Sequence, residues 1–282
     1  IDTGDLTRRL RGRQLSETAV TVNRKIGQNF KTFSQLARTG LRIGHAVSGV
    51  LGDGFVNRIS GGAWRKAMPP AAKPPVQRSA KGDPVVYFPT CGGRIFGPAD
   101  GADMQLGDVI QELLIRAGYA PMLPESFENL CCGQMLASKG LLEDAEELLN
   151  TLEAALMKAS DNGRIPVIMD ASACSTRMQK HLAGRLKLYD FHEFAHDALL
   201  PRLMITPQPG PVALHVNCSV KRTGADGKLR ALLKACVKEV IEPSAVTCCG
   251  FGGDRGFAVP ELNQHALRHI HDDLPAGCAC GV

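Results

Sequence analysis

The 282-residue sequence predicts an α/β protein with two similar parallel-sheet halves, preceded by a basic helical segment. Apolar runs of strand length alternate with stretches of helical periodicity, which favours parallel α/β layers. An ordered pattern of strand, cysteine, helix, Cys-Cys-Gly and helix occurs twice. The first 83 residues contain 15 Lys and Arg against 5 Asp and Glu, whereas the remainder contains 18 against 23. A basic segment joined to a slightly acidic part indicates two different roles.

Residues 1–83 are predicted to be a basic helical segment followed by a proline-rich linker. The linker, AMPPAAKPPVQRSAKGDP, is typical of an extended spacer, so a domain boundary is expected there. The segment is interpreted first as a cover on another domain and second as a membrane-surface helix. Aromatic residues make up only 5% of the chain, and no nucleic-acid partner is expected. Steps of three and four place these apolar residues on one helical face: Leu15, Ala19, Val22, Ile26, Phe30, Phe33, Ala37 and Leu41.

Residues 84–207 are predicted to form the first repeat. Its cysteines follow predicted strands, and ligands of parallel α/β sheets bind at the carboxyl ends of strands. The predicted elements are a strand in PVVYFPTC that delivers Cys91, helices over about 103–118 and 136–159, and a strand in RIPVIMDAS that ends near Cys174.

Residues 208–282 are predicted to form the second repeat. PVALHVNC ends in Cys218 as PVVYFPTC ends in Cys91, and VTCCGFGG matches NLCCGQML. Helices are predicted in KLRALLKACVKEV and in PELNQHALRHIHDDL. The spacing of the first repeat would place a closing cysteine beyond Val282, so this repeat is expected to be truncated at its C-terminus and to lack its closing strand. Cys278 and Cys280 are weak substitutes for that cysteine, and a chain that begins with Ile is interpreted as part of a longer one.

The ten cysteines carry the functional signal. Adjacent cysteines rarely satisfy disulfide geometry, and the sequence begins without a secretory signal. Clustered thiolates in a reduced compartment favour a soft metal or an iron–sulfur cluster over buried structural cysteines. Cys236, in the middle of a predicted helix, is interpreted as a core residue. The predicted metal ligands are Cys91, Cys131, Cys132 and Cys174 in the first set, and Cys218, Cys248 and Cys249 in the second.

Four residues beside these cysteines are predicted to contact the bound group. Gly133 and Gly250 follow the vicinal pairs, where glycine permits a close backbone approach or a positive φ. Arg94 and Arg255 each follow a cysteine loop and would offset negative charge, although a surface arginine explains either equally well. The glycine-rich stretches around them are interpreted as tight turns.

Two further features argue against other kinds of metal site. His192 and His196 lack the order of a HExxH zinc motif and are interpreted as ordinary helix residues. Ala171 stands where a CxxC motif with Cys174 would have its first cysteine.

Taken together, these motifs resemble the cysteine-rich CCG domain family. That family includes the B subunit of heterodisulfide reductase, iron–sulfur subunits of glycolate oxidase and anaerobic glycerol-3-phosphate dehydrogenase, and lactate-utilisation proteins. The likeness is greatest to the C-terminal part of fused flavin and iron–sulfur D-lactate dehydrogenases. It is carried by PVVYFPTCGGRIFGP, ENLCCGQMLASKG, DASACSTRM, LKLYDFHEFAHD, ALHVNCSVK and CCGFGGDRGFAVPELN.

The resemblance implies a duplicated CCG domain that transfers electrons within an FAD-dependent dehydrogenase of D-lactate or another D-2-hydroxy acid. A [4Fe-4S] cluster, cubane or non-cubane, would be its cofactor, with zinc as the alternative in the second set. FAD and ferredoxin-like domains would lie upstream in the same full-length chain, and a quinone or cytochrome would accept the electrons. The implied location is the cytoplasm or the inner face of its membrane.

Two other functions stay open at this point. One is a separate CCG-type subunit of a complex similar to heterodisulfide reductase or glycolate oxidase. The other is a zinc-stabilised structural module that binds partners through the basic helix.

Overall fold

The computed structural model describes residues 3–65, 68–98, 102–252, 256, 259–278 and 280–282. The chain divides into two units, residues 1–188 and 189–282. The basic segment and most of the first repeat therefore share one unit, and the boundary predicted near residue 83 does not separate units. None of the described helices has both the length and the apolar character needed to cross a membrane.

The basic segment forms four helices rather than one continuous amphipathic face. Ser16 begins the second helix, and its side chain accepts a hydrogen bond from the Ala19 amide at 3.2 Å. Asn29 separates the second and third helices with a non-helical backbone. Val22, inside α2, is 49% exposed although the pattern predicts it to be buried. The helices are α1 (Thr3–Arg13), α2 (Glu17–Gln28), α3 (Phe30–Leu51) and α4 (Asp53–Ile59).

The helical segment covers the first repeat, which confirms the first interpretation of its apolar face. Phe30, Leu41 and Trp64 form one buried cluster with Ile95 and Cys131 of the repeat. Burial of these side chains removes apolar surface from water and joins the two parts into one unit.

The proline-rich stretch is extended as predicted, but it is attached to the first repeat rather than free. Ala72 donates its amide to the Ile95 carbonyl at 2.9 Å, and the Arg78 amide donates to Gln111 Oε1 at 3.0 Å. These hydrogen bonds explain why a compositional linker does not mark a boundary between units.

The first repeat is built on a sheet with the order β2-β1-β3-β4. The central strand β1 pairs in parallel with β2 and with β3. Its residues Val85 to Phe88 are fully buried, as expected for a strand covered on both faces. The strands are β1 (Asp83–Phe88), β2 (Tyr119–Met122), β3 (Val167–Met169) and β4 (Leu188–Asp190).

Among the residues that the structure describes, five α-helices accompany these strands. The predicted helix over 136–159 is divided into a short helix and a long one by a turn at Lys139–Leu141. The long helix packs Leu149, Leu152 and Leu156 into the core beneath the sheet. The helices are α5 (Cys91–Ile95), α6 (Leu106–Arg116), α7 (Gln134–Ser138), α8 (Leu142–Ala159) and α9 (Ser172–Leu182).

The second unit repeats this topology on a smaller scale. Its sheet has the order β6-β5-β7, with both pairs parallel. Val212 of β5 pairs with Val240 of β6 as Val85 of β1 pairs with Pro121 of β2, so the registers also correspond. The predicted duplication is confirmed. The elements are α10 (Phe191–Phe194), β5 (Val212–Ala213), α11 (Cys218–Thr223), α12 (Asp226–Cys236), β6 (Val240–Ile241), α13 (Pro260–Leu267) and β7 (Cys280–Gly281).

The expectation that the second repeat lacks its closing strand is wrong. Cys280 and Gly281 form β7, which pairs with Val212 and Ala213 in the position that β3 occupies beside β1. The motif spacing misses this strand because it begins closer to the vicinal cysteines in the second repeat: β3 starts 35 residues after Cys132 (167 − 132), whereas β7 starts 31 residues after Cys249 (280 − 249). Cys280 lies within the strand, whereas Cys174 lies beyond the end of β3.

Gly44 provides a test of the packing of helix α3. A Cβ at this position would overlap the ring of the buried Trp64, which is held by a 2.9 Å hydrogen bond from its Nε1 to Asp53 Oδ1. We expect Gly44→Ala to destabilise the chain by about 1–3 kcal/mol in urea unfolding. Gly40→Ala, in the same helix with no atom near its Cβ, is the matched control and should stabilise by about 0.5–1 kcal/mol. Equal stabilisation by both variants would contradict this packing.

Candidate metal centre

Adjacent strands β1 and β3 deliver two of the predicted ligands to one edge of the sheet. Cys91 begins helix α5, three residues after β1, and Cys174 lies in the first turn of α9, which follows β3. The vicinal pair Cys131 and Cys132 lies in the loop directly before α7. All four cysteines are therefore placed by the carboxyl ends of strands or by the start of a helix, as the sequence predicts.

The four sulfurs of the first set come together. Cys132 Sγ lies 3.1 Å from Cys174 Sγ. Cys91 and Cys174 shift each other's pKa, as do Cys131 and Cys132, so these side chains are close neighbours. Cys131, Cys132 and Cys174 are buried and Cys91 is half-buried. The structure thus joins residues that lie up to 83 positions apart in the sequence into one sulfur cluster, Cys91–Cys131–Cys132–Cys174.

Cys132 is the member of the sulfur cluster that most favours the thiolate. Interactions with the neighbouring Cys131 and Cys174 thiols hold its pKa well below the usual thiol value, with help from the Gln134 amide and the Arg177 charge. The same interactions, together with burial, raise the pKa of Cys131 and of Cys174. Because the thiolate is the metal-binding form, a ligand-competent sulfur stands at the centre of the cluster.

The Cys-Cys-Gly loop is fixed tightly beneath the cluster. Gly133 has a φ of 74° and donates its amide to Cys131 Sγ at 3.4 Å. A Cβ at Gly133 would overlap the Ala145 carbonyl oxygen of helix α8. The prediction that this glycine permits a close approach and a positive φ is therefore confirmed.

Arg94 is buried beside the cluster, so the surface interpretation of this residue is wrong. Only 2% of it is exposed, and its guanidinium donates to the carbonyls of Phe127 and Leu130 at 2.6 and 2.7 Å. Burial lowers the pKa of Arg94, while the nearby Cys91 opposes that shift. The glycine-rich stretch that contains Arg94 is predicted to be a tight turn, but residues 91–95 form the short helix α5.

Sequence reasoning misses two polar residues that hold this site. Asp170 accepts hydrogen bonds from the Tyr87 hydroxyl at 2.7 Å and from the Thr90 amide at 2.8 Å. Burial, followed by the charge of Asp170, raises the pKa of Tyr87. Arg177 donates from Nε to the Cys132 carbonyl at 2.8 Å. Their positions in the DASACSTRM motif, beside Cys174, are the signal that could have identified them.

The second set reproduces the loop geometry but not the sulfur cluster. Gly250 has a φ of 68° and donates its amide to Cys248 Sγ at 3.4 Å, as Gly133 does to Cys131. Cys218 and Cys248 are exposed, and Cys249 is half-buried. Within the part of the second unit that the structure describes, no sulfur of this set hydrogen-bonds with another. Arg255, the fourth predicted contact residue, lies outside the described residues.

The remaining candidates, Cys236, His192 and His196, lie in the second unit. Cys236 packs against the core of the second unit, and burial raises its pKa. His192 lies in helix α10 with its Nδ1 2.9 Å from Asp190 Oδ1, and His196 is likewise paired with Asp197. Across the described ranges, no group of three or more His, Cys, Asp or Glu side chains is arranged to hold a single metal ion.

The chemistry of the first set nevertheless fits a soft metal group. It offers four sulfurs, two of which, Cys91 and Cys132, have a lowered pKa, with the buried cation Arg94 close by. Four cysteine ligands are the usual complement of an iron–sulfur cluster, and also of a structural zinc ion. The second set offers three sulfurs to a bound group.

Comparisons with known proteins agree with this description. Lactate utilization protein A of Geobacillus thermodenitrificans is 26% identical over 200 residues, covering 62% of this chain and 81% of that protein. Lactate utilization protein A 2 of Bacillus mycoides is 28% identical over 219 residues, covering 70% and 87%. No solved structure matches the chain.

A family model described as a cysteine-rich domain, CCG, matches residues 85–179 and 212–273. These two ranges correspond to the two repeats and together cover more than half of the chain. The first range contains the sulfur cluster, and the second contains Cys218, Cys248 and Cys249. The chain therefore belongs to the CCG family of cysteine-rich domains and carries two copies of the domain.

Proposed function

We propose that the first repeat binds an iron–sulfur cluster through Cys91, Cys131, Cys132 and Cys174, and that this chain transfers electrons in the oxidation of lactate or a related 2-hydroxy acid. The observation that supports it best is the convergence of four sulfurs at one sheet edge. The names of the relatives, lactate utilization protein A, support the substrate class.

An iron–sulfur cluster supplies one-electron transfer when it is bound. The chain's own residues would hold and shield it. The four cysteines supply sulfur ligands, and Gly133 lets the ligand loop lie against helix α8. Asp170 fixes the start of helix α5 by accepting the Thr90 amide, which orients Cys91. Burial of three of the cysteines excludes water, which protects sulfur ligands from oxidation.

At finer detail, we propose a D-2-hydroxy acid such as D-lactate as the electron source, with FAD in a partner domain as the first acceptor. The cluster is proposed to be [4Fe-4S], cubane or non-cubane, and a quinone or cytochrome is proposed to take its electrons. The proposed location is the cytoplasm, including the inner membrane face. These proposals rest on the motif resemblance, since the described residues contain neither an FAD domain nor an acceptor.

A zinc-stabilised structural module is the competing proposal, because four cysteines are also a standard zinc set. In the second set zinc is the proposed alternative occupant, and its three sulfurs would need one further ligand to complete a four-coordinate structural site.

Electron relay is tested by reduction and reoxidation of the anaerobically purified chain. We expect brown protein whose visible absorbance bleaches with dithionite and recovers when a soluble quinone or cytochrome c is added. A variant with Cys91, Cys131, Cys132 and Cys174 all changed to Ser is the control and should show neither change. Colourless wild-type protein that contains zinc, or a cluster that neither acceptor reoxidises, would contradict the relay.

A further inference from the structure

We infer that the positive charge of Arg94 sets the reduction potential of the group held by the sulfur cluster. Helix α3 excludes solvent from the Arg94 guanidinium. The inference rests on the proposed function, because it concerns the iron–sulfur cluster proposed there. It assigns a role to a residue that is not itself a ligand.

Arg94 is tied to the backbone directly before two ligand positions. Its Nη2 donates to the carbonyl of Leu130, which precedes Cys131, at 2.7 Å. Its Nε donates to the carbonyl of Thr90, which precedes Cys91, at 3.4 Å. These two hydrogen bonds hold the guanidinium against both ligand loops.

The charge of Arg94 is not neutralised by a hydrogen-bonded carboxylate. In the part of the chain that the structure describes, its guanidinium donates only to carbonyl oxygens. Asp170 acts on it through space, as do Cys91, Cys131 and Cys174. A positive charge at short range in a dry site stabilises the more negative, reduced form of a cluster. The geometry thus raises the reduction potential.

Helix α3 of the basic segment closes the other side of the guanidinium. The Phe30 ring lies 4.8 Å from the guanidinium carbon, and the Phe88 ring of β1 lies 5.6 Å from it. Arg38 of α3 donates to the Arg94 carbonyl at 3.0 Å. Phe30 is fully buried, so it keeps solvent from screening the charge. The covering helices therefore take part in tuning the centre, in addition to stabilising the unit.

The test compares reduction potentials by anaerobic spectroelectrochemistry, with iron content measured on the same samples. Arg94→Gln keeps hydrogen-bond donors and removes the charge. We expect at least a tenfold fall in the ratio of reduced to oxidised cluster at a fixed potential, which is about 59 mV for one electron. Arg94→Lys should restore most of the wild-type potential. Phe30→Leu, which keeps the charge and admits water, should give a smaller fall.

Arg116→Gln is the matched control, since Arg116 is an exposed arginine paired with Glu112 on helix α6, and its potential should equal that of wild type. An iron-loaded Arg94→Gln variant with the wild-type potential would overturn the inference. If that variant loses its iron, an unchanged potential in iron-loaded Phe30→Leu would overturn it instead. Wild-type protein without iron would contradict the proposed function, which is a distinguishable outcome.

Discussion

Changing Cys132 to Ser is expected to remove the iron and acid-labile sulfide of the first repeat. Cys132 lies 3.1 Å from the Cys174 sulfur and directly follows Cys131 in the chain. Its lowered pKa makes it the sulfur that most readily serves as a thiolate, and serine supplies no comparable soft ligand. Iron and sulfide analysis of the anaerobically purified variant measures the loss.

Cys236→Ser is the matched control for this change. Cys236 is half-buried in the core of the second unit and has no role in the sulfur cluster. The control should keep the wild-type iron and sulfide content, and circular dichroism should show that both variants remain folded. A folded Cys132→Ser variant with full iron would show that the cluster of four cysteines is not the binding site.

Gly133→Ala is expected to have the second large effect, on stability as well as on metal content. Alanine at a φ of 74° costs about 1–2 kcal/mol, and its Cβ would overlap the Ala145 carbonyl oxygen. Displacing helix α8 or the ligand loop adds about 1–3 kcal/mol. We expect a total loss of about 2–5 kcal/mol in the free energy of unfolding, with reduced iron content, because Cys131 and Cys132 move with the loop.

Gly184→Ala is the control that separates the cost of a positive φ from the cost of the overlap with helix α8. Gly184 also has a positive φ, 81°, but no atom lies near the position of its Cβ. This control should lose only about 1–2 kcal/mol in urea unfolding and should keep its iron. Equal losses of stability in the two variants would contradict the close contact between the Cys-Cys-Gly loop and helix α8.

Much of the sheet and the placement of the first four cysteines could be predicted from local patterns. The runs that end in Cys91 and Cys218 are continuous apolar stretches, which predict buried parallel strands. The repeated Cys-Cys-Gly motif predicts the same backbone at Gly133 and Gly250, and the structure confirms it in both loops. These features depend on short segments of sequence, whose conformation is fixed by glycine and by burial.

Tertiary contacts account for what the sequence did not reveal. The proline-rich stretch has the composition of a linker, yet hydrogen bonds from Ala72 and Arg78 attach it to the first repeat. From the sequence alone, a surface position for Arg94 is as plausible as a buried one. Its partners are backbone carbonyls, and the pattern of side chains in a sequence does not indicate such partners. Asp170 was missed for a similar reason, since its partner Tyr87 lies 83 residues away.

The difference in burial between the first and second cysteine sets cannot be predicted from local sequence patterns either. Cys131 is buried in a cluster that contains Phe30 and Trp64 of the helical segment. The helical segment packs on the first repeat, where it contributes to the burial of Cys131. Cys248, which has the same local loop, is exposed. We therefore expect the first set to be the stronger metal site.

The most direct test of the central claim is the iron, zinc and acid-labile sulfide content of the anaerobically purified wild-type chain. The account predicts iron and sulfide in nearly equal amounts, both lost when Cys132 is changed to Ser. Zinc without sulfide would contradict an iron–sulfur centre and would favour a structural role for the four cysteines.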